Sequence, residues 1–363
     1  MFAKHRPDYL ILLCLAFLVV FGLVMLASSS SNLGQEKFGD SFYYLKHQLL
    51  YGLGLGFLGF FLGYKIYYRR YEKIAMILLL INIGFLILVF TPLGVKAGGA
   101  ERWLILGPVT FQPSELLKLT FVVYLAAWLS KHLDRQKKFW KGFVPFLAIA
   151  GIISGLLLKQ PATTMVAILM GTGLIVYFVS GAKLSYIFGT ALLSVAAFAA
   201  VVYLTPYRWE RIINFIKPSA NPLSGGYHIN QALIAIGSGK LTGVGFGQST
   251  TKINYLPEPI GDSIFAIIAE ELGFIGSAAL IMVFAALVLK ILLISQRTKD
   301  RFGRLMLIGF GSIIGLQTFI NIAAISGLIP LTGVPLPFIS YGGTALAVFM
   351  TMGGIIANIS RHS

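Results

Sequence analysis

The chain holds a single cysteine, Cys14. That excludes an intrachain disulfide framework and a thiolate metal site. Its five histidines, His5, His47, His132, His228 and His362, are scattered, and neither HExxH nor GxSxG occurs, which argues against a zinc hydrolase or a His-based protease. Charge is scarce: only 12% of residues are Asp, Glu, Lys or Arg, and 13 acids face 29 bases. Low-complexity tails, internal repeats and any stretch that reads as a soluble domain are also missing. What remains is apolar, with 57% hydrophobic residues and a mean hydropathy of +0.82, far more than a soluble core can use. Apolar runs near the ~20 residues that cross a bilayer recur along the whole length. They do not alternate as porin strands do. The expected fold is an all-α, polytopic transmembrane helical bundle, one integral membrane domain spanning 1–363.

Ten spans are expected, at roughly 9–28, 45–64, 73–93, 113–131, 142–158, 163–181, 184–205, 263–295, 303–327 and 341–360. The run from Tyr9 to Ala27 exceeds the ~7–15 residues of a signal-peptide core, so it reads as an uncleaved first span. Basic residues alternate with the loops. One side receives Lys4 and Arg6, then Lys65, Arg69, Arg70 and Lys73, then Lys131 to Lys141, Lys183, Arg297 to Arg304 and Arg361. This is the positive-inside pattern, and it places both termini in the cytoplasm. The net charge of +16 is thereby a topology signal, and a nucleic-acid partner is excluded.

Three segments on the opposite side are not simple connectors. Gly94 to Gln112 is too rich in glycine and charge for a membrane helix. The extracellular loop 206–262, between the seventh and eighth expected spans, carries Tyr207, Trp209, Ile212, Ile213, Phe215 and Ile216 on what reads as a re-entrant or surface-lying helix. Ile329 to Gly343, IPLTGVPLPFISYGG, enforces non-helical backbone, which at membrane depth is tolerated only inside protein or along a cavity. A built cavity on the outer face follows.

Ionisable groups at the edges of spans are functional candidates by default. Asp262 sits where a proline-stiffened loop meets an apolar run; it suits either an N-cap or a chemical role. Glu115 and Lys118, three apart, share a helix face and can pair, either as a neutralised packing pair or with Lys118 turned to an anionic ligand. Lys159, beside Gln160 and Pro161, reads as a snorkelling side chain or an anion contact, and Arg102 beside Trp103 as an interfacial anchor or an anion contact. Glu270 and Glu271 cannot both face lipid. The run GSGKLTGVGFG, from Gly237 to Gly247, lacks Walker spacing and reads as tight turns and close backbone approach.

Taken together, Lys96–Trp103, GPVTFQPSELLK (Gly107–Lys118), LKQP (Leu158–Pro161), GYHINQALIAIGSGKLTGVGFG (Gly226–Gly247), YLPEPIGDSIFAIIAEELGFIG (Tyr255–Gly276) and GVPLPFISYGGT (Gly333–Thr344) resemble the SEDS family of shape, elongation, division and sporulation proteins, FtsW and RodA. The resemblance covers nearly the whole chain and leans toward FtsW. It departs at Ala162, where the family usually has Asp, and at Ile260-Gly261, where the family tends to have His-Thr. The resemblance implies a peptidoglycan glycosyltransferase at the outer face of a bacterial cytoplasmic membrane. Such an enzyme polymerises lipid II beside a class B penicillin-binding protein and other division or elongation proteins.

The family's catalytic Asp maps onto Asp262, a general base for an inverting transfer that expels a polyprenyl diphosphate. Lys118, Arg102, Lys159 and Arg208 are the cations expected to meet that diphosphate, with Glu115 and Gln112 in the same substrate-binding set. Mg²⁺ or Mn²⁺ could assist the leaving group, although no DxD-like pair is present and no metal ligand is assigned. A lipid-linked precursor flippase or a non-catalytic scaffold of the division machinery are the competing readings. Inverted repeats or paired broken helices would favour transport, and the sequence shows neither.

Overall fold

The computed structural model describes residues 6–97, 100–106, 109–131, 134–217, 225–253 and 255–362. Among them the protein is a helical bundle with one small sheet. Helix α1 (Tyr9–Phe38) starts at Asp8, whose carboxylate accepts from the Leu10 and Ile11 amides, and stops at Gly39 in the left-handed conformation. Helix α2 (Tyr43–His47) passes through a π-helical turn, Gln48–Leu53, into α3 (Gly54–Lys65). Then come α4 (Arg69–Leu88) and an antiparallel sheet of β1 (Gly94–Ala97), β2 (Ala100–Leu106) and β3 (Val109–Phe111). The remaining helices are α5 (Pro113–Ser130), α6 (Val144–Lys159), α7 (Thr163–Val179), α8 (Leu184–Tyr203), α9 (Pro206–Ile216), α10 (Gly225–Ser238), α11 (Ile264–Arg297), α12 (Arg301–Ile325) and α13 (Gly343–Ser360).

Every one of the ten expected apolar stretches is helical, but the span count needs correction. Seven helices among the described residues are long and apolar enough to cross a membrane. The exceptions have physical causes: the stretch at 45–64 is diluted by five glycines and by Lys46, His47 and Gln48, α5 carries Glu115 and Lys118 in its first turns, and α7 is only 17 residues long, whereas α6 reaches 21 together with the π-helical turn Phe139–Phe143 that leads into it. Segment 206–262 therefore lies between the fourth and fifth of the seven. The sheet is the second departure. It forms where glycines and charges at 94–111 rule out a membrane helix.

The centre of the bundle is α5, α12 and α13, whereas α8 is the most peripheral span, with 11% of its apolar window buried against 72% for α13. Helices α3 and α13 cross backbone to backbone over small residues. A Cβ on Gly63 would lie 2.9 Å from the Thr351 carbonyl oxygen, and one on Gly354 would lie 2.2 Å from that of Phe60. Both ends of the chain meet at one end of the bundle, where the Asp8 amide donates to Ser360 Oγ and Lys290 pairs with Asp8.

The span expected at 263–295 is not continuous. Gly273 (φ 66°, ψ −167°) breaks α11 and frees backbone groups that segment 240–245 satisfies. The Phe274 and Ile275 amides donate to the Lys240 and Leu241 carbonyls, while the Val244 and Gly245 amides donate to those of Glu270 and Glu271. The crossing is so close that a Cβ on Gly239 would stand 1.9 Å from the Ala269 oxygen. Both buried glutamates are satisfied. Glu270 accepts from Ser249 Oγ, the Thr251 hydroxyl and the Thr250 and Thr251 amides; Glu271 pairs with Lys252 at 2.8 Å and accepts from Ser28 Oγ.

Candidate active site

The loop Pro257–Asp262 stands between two cavities. On one side a space of about 680 Å³ is lined by Tyr44, His47, Tyr51, Trp103, Tyr341 and Glu258, among others. On the other, about 400 Å³ is enclosed by α9 (Tyr207, Glu210, Arg211, Asn214, Phe215), α10 (His228, Ile229), Pro257, Asp262, Leu331 and Gly333. The long segment 206–262 thus folds α9, an amphipathic helix, into the wall of the smaller cavity.

The loop is held in place through its carbonyl oxygens. That of Pro257 accepts from Ser263 Oγ (2.8 Å), that of Ile260 from the Tyr341 amide (2.8 Å), that of Gly261 from Ser340 Oγ (2.6 Å), and that of Asp262 from Asn321 Nδ2 (2.9 Å). Glu258 adopts φ 48°, a conformation that costs a non-glycine residue roughly 1–3 kcal/mol and concentrates at functional sites. Helix α11 begins immediately after, with Ser263 at the N-cap position and no side-chain cap. Asp262 is therefore not the helix cap. Its Oδ1 is closed off from solvent with no hydrogen-bond partner among the described residues. Burial and the nearby negative charge of Glu258 push this carboxyl up to about 7, against the opposing pull of its own backbone amide, of Arg211 and of the Ser263 amide.

The other expected site residues lie elsewhere. Lys118 is fully buried, its Nζ 2.7 Å from Glu115 Oε2 and 2.6 Å from Gln317 Oε1, over the Phe349 ring. In this conformation that nitrogen is engaged within the bundle and lines neither cavity. Gln112 sits at the N-cap position of α5, where its amide donates to Thr344 Oγ1. Arg102 and Arg208 converge on the α6–α7 corner. Arg102 donates to the Gln160 and Pro161 carbonyls, and Arg208 to Thr163 Oγ1 and the Leu158 carbonyl. Burial, reinforced by the charges of Arg211 and Arg208, pulls Arg102 below its usual value. Lys159 ends α6 with its side chain exposed. Among the described residues, no three His, Cys, Asp or Glu side chains come together as a metal site.

Sequence reasoning missed Arg211 and His228. Arg211 donates to the Leu331 carbonyl and the Tyr207 hydroxyl and stacks on the Tyr207 ring, so it is the cation that shares a cavity with Asp262. The i, i+4 spacing of Tyr207 and Arg211 was the available signal. His228 looked like one more scattered histidine.

Fold and site define a multi-pass membrane protein with a desolvated, loop-held carboxylate in a cavity at one end of its bundle. The family model of cell cycle proteins FtsW, RodA and SpoVE matches residues 8–363, and the chain belongs to that family, the SEDS proteins. It is 36% identical over 361 residues to stage V sporulation protein E of Bacillus subtilis, covering 99% of this chain and 98% of that one. It is 38% identical over 360 residues to a probable peptidoglycan glycosyltransferase FtsW of Geobacter sulfurreducens, covering 99% and 96%. Among solved structures, a chain from a study of polymerization and crosslinking by a peptidoglycan synthase complex superimposes with a TM-score of 0.80 at 27% identity, covering 98% of each chain. Thermus thermophilus RodA does so with 0.71 at 26% identity, covering 98% of this chain and 96% of its own.

Proposed function

We propose that this protein is a peptidoglycan glycosyltransferase that polymerises lipid II at the outer face of the bacterial cytoplasmic membrane, beside a class B transpeptidase. The observation that carries the reading is the Asp262 carboxylate: it lines a cavity, has an oxygen with no partner among the described residues, and sits near the protonation midpoint that suits a general base at neutral pH. The 4-hydroxyl oxygen of one sugar attacks the anomeric carbon of the other as its proton passes to Asp262. The bond from that carbon to the diphosphate breaks, and the polyprenyl diphosphate leaves. One displacement inverts the anomeric configuration and needs no second carboxylate as nucleophile. A departing diphosphate requires preorganised positive charge. Arg211 supplies it within the same cavity, with Arg102 and Arg208 behind it at the α6–α7 corner.

Purified protein reconstituted with lipid II and its transpeptidase partner tests the reading. Asp262→Asn is expected to lower the rate of glycan formation by about 10²–10⁴-fold while leaving folding and insertion intact. Normal polymerisation by a folded, inserted variant would remove Asp262 from the chemistry.

A further inference from the structure

His228 lies on α10, a helix separate from the one Asp262 precedes, and 34 residues away in the chain. Its Nε2 is 2.7 Å from Ser263 Oγ, and that hydroxyl donates to the Pro257 carbonyl oxygen at 2.8 Å. A serine hydroxyl has one proton. Since it is given to Pro257, Ser263 Oγ must accept from His228, and the imidazole must carry its proton on Nε2. Burial, together with the charge of Arg211, pushes His228 down to about 4 and keeps the ring neutral. The bridge therefore runs His228 Nε2–H to Ser263 Oγ–H to the Pro257 carbonyl, and it ties the first residue of the strained loop, and the residue that follows its last, to α10.

The restraints on the other carbonyls of this loop come from other elements. Tyr341, Ser340 and Asn321, on the segment before α13 and on α12, hold the carbonyls of residues 260 to 262. None of them holds Pro257 or the Ser263 side chain, so without the α10 bridge that part of the loop is free to shift and to carry the Asp262 carboxylate with it. We infer that His228 is a positioning residue for the reaction, which through Ser263 and Pro257 fixes the Asp262 carboxylate in the smaller cavity. This rests on the general-base reading of Asp262. Because misplacement of a reacting group by about 1 Å can cost on the order of 100-fold in rate, the bridge acts on turnover more than on substrate affinity.

The test uses the full-length protein with its transpeptidase partner and lipid II. Glycan formation is measured alongside hydrogen exchange of the Gly261 and Ser263 amides, both of which donate to the Glu258 carbonyl inside the loop. His228→Ala is expected to lower kcat by about 10- to 100-fold with little change in KM, and to speed exchange at the loop amides. His228→Gln, whose side-chain amide reaches the place of Nε2–H, is expected to restore most of both. Ser263→Ala should match His228→Ala, and the double variant should be no worse than either single one. The inference is overturned if His228→Gln leaves the loop as unprotected as His228→Ala does, or if the two single losses multiply. Asp262→Asn, measured in parallel, separates the two claims: if that variant still polymerises, the general-base reading fails, while the exchange data judge the bridge on their own.

Discussion

Glu258 and Asp262 bracket a loop whose two carboxylates face different cavities, and their proximity links them electrostatically. Glu258 raises the proton affinity of Asp262 in addition to the effect of burial, so removing its charge should lower it. Glu258→Gln is expected to shift the acidic limb of the pH–rate profile to lower pH; an unmoved limb would mean that another group titrates there. The sign for stability runs the other way from that of an ordinary salt-bridged Asp. The folded-state value of Asp262 lies above the ~3.9 of an unperturbed aspartate, so the folded state holds this proton more tightly than the unfolded chain. That contribution is fully present below pH ~3.9 and is lost as pH rises through about 7. Ala162 gives a second expectation at this scale. It occupies the N-cap position of α7 with no side-chain cap, beside Thr163 and Pro161, which hold Arg208 and Arg102. An aspartate there would both cap the helix and meet the two guanidinium groups, so Ala162→Asp should stabilise the protein by about 1 kcal/mol, read as a higher melting temperature in detergent.

At the scale of elements, legibility in the sequence depended on whether a feature was local. Asp262 stood out because a carboxylate at the seam between a polar loop and an apolar run is conspicuous without any partner in view. Arg211 and His228 did not, because what matters about them is that α9 and α10 dock on the loop, which only the tertiary structure brings about. The same holds for the break in α11. Glycine within an apolar run passes as helix, and the partner that makes Gly273 non-helical, segment 240–245, lies about 30 residues earlier. The glycine run at 237–247 was legible as close backbone approach, though not what it approaches. The nearby ion pair between Lys252 and Glu271 is buried at both ends, with side chains 5% and 0% exposed. Removing one partner strands a charge, at roughly 3–5 kcal/mol, whereas replacing both by apolar groups is often near neutral. Lys252→Met alone should therefore cost far more stability than Lys252→Met with Glu271→Leu. Equal losses in thermal denaturation would show that the pair is not coupled as the geometry indicates.

For the whole molecule, the bundle has two chemically distinct ends. At one, Asp8 meets Ser360 and Lys290, and Arg69 pairs with Asp300; at the other, the Tyr341 amide holds the Asp262 loop. The 18 residues of α13 separate these ends, about 27 Å at 1.5 Å per residue, close to the hydrocarbon thickness of a bilayer. The basic loops cluster at the end that carries both termini, and on the positive-inside rule we propose that this end faces the cytoplasm. A site for a lipid-linked sugar on the outer leaflet then falls at the far end, where the two cavities are. Since the native cysteine, Cys14, is buried, single cysteines can report the orientation directly. Ile253→Cys, at an exposed position near the cavity end, should react with a membrane-impermeant maleimide in intact cells. Lys299→Cys, exposed at the opposite end, should react only after the membrane is opened. The reverse pattern would place Asp262 on the cytoplasmic side, where the proposed transfer onto an outer-face glycan could not occur.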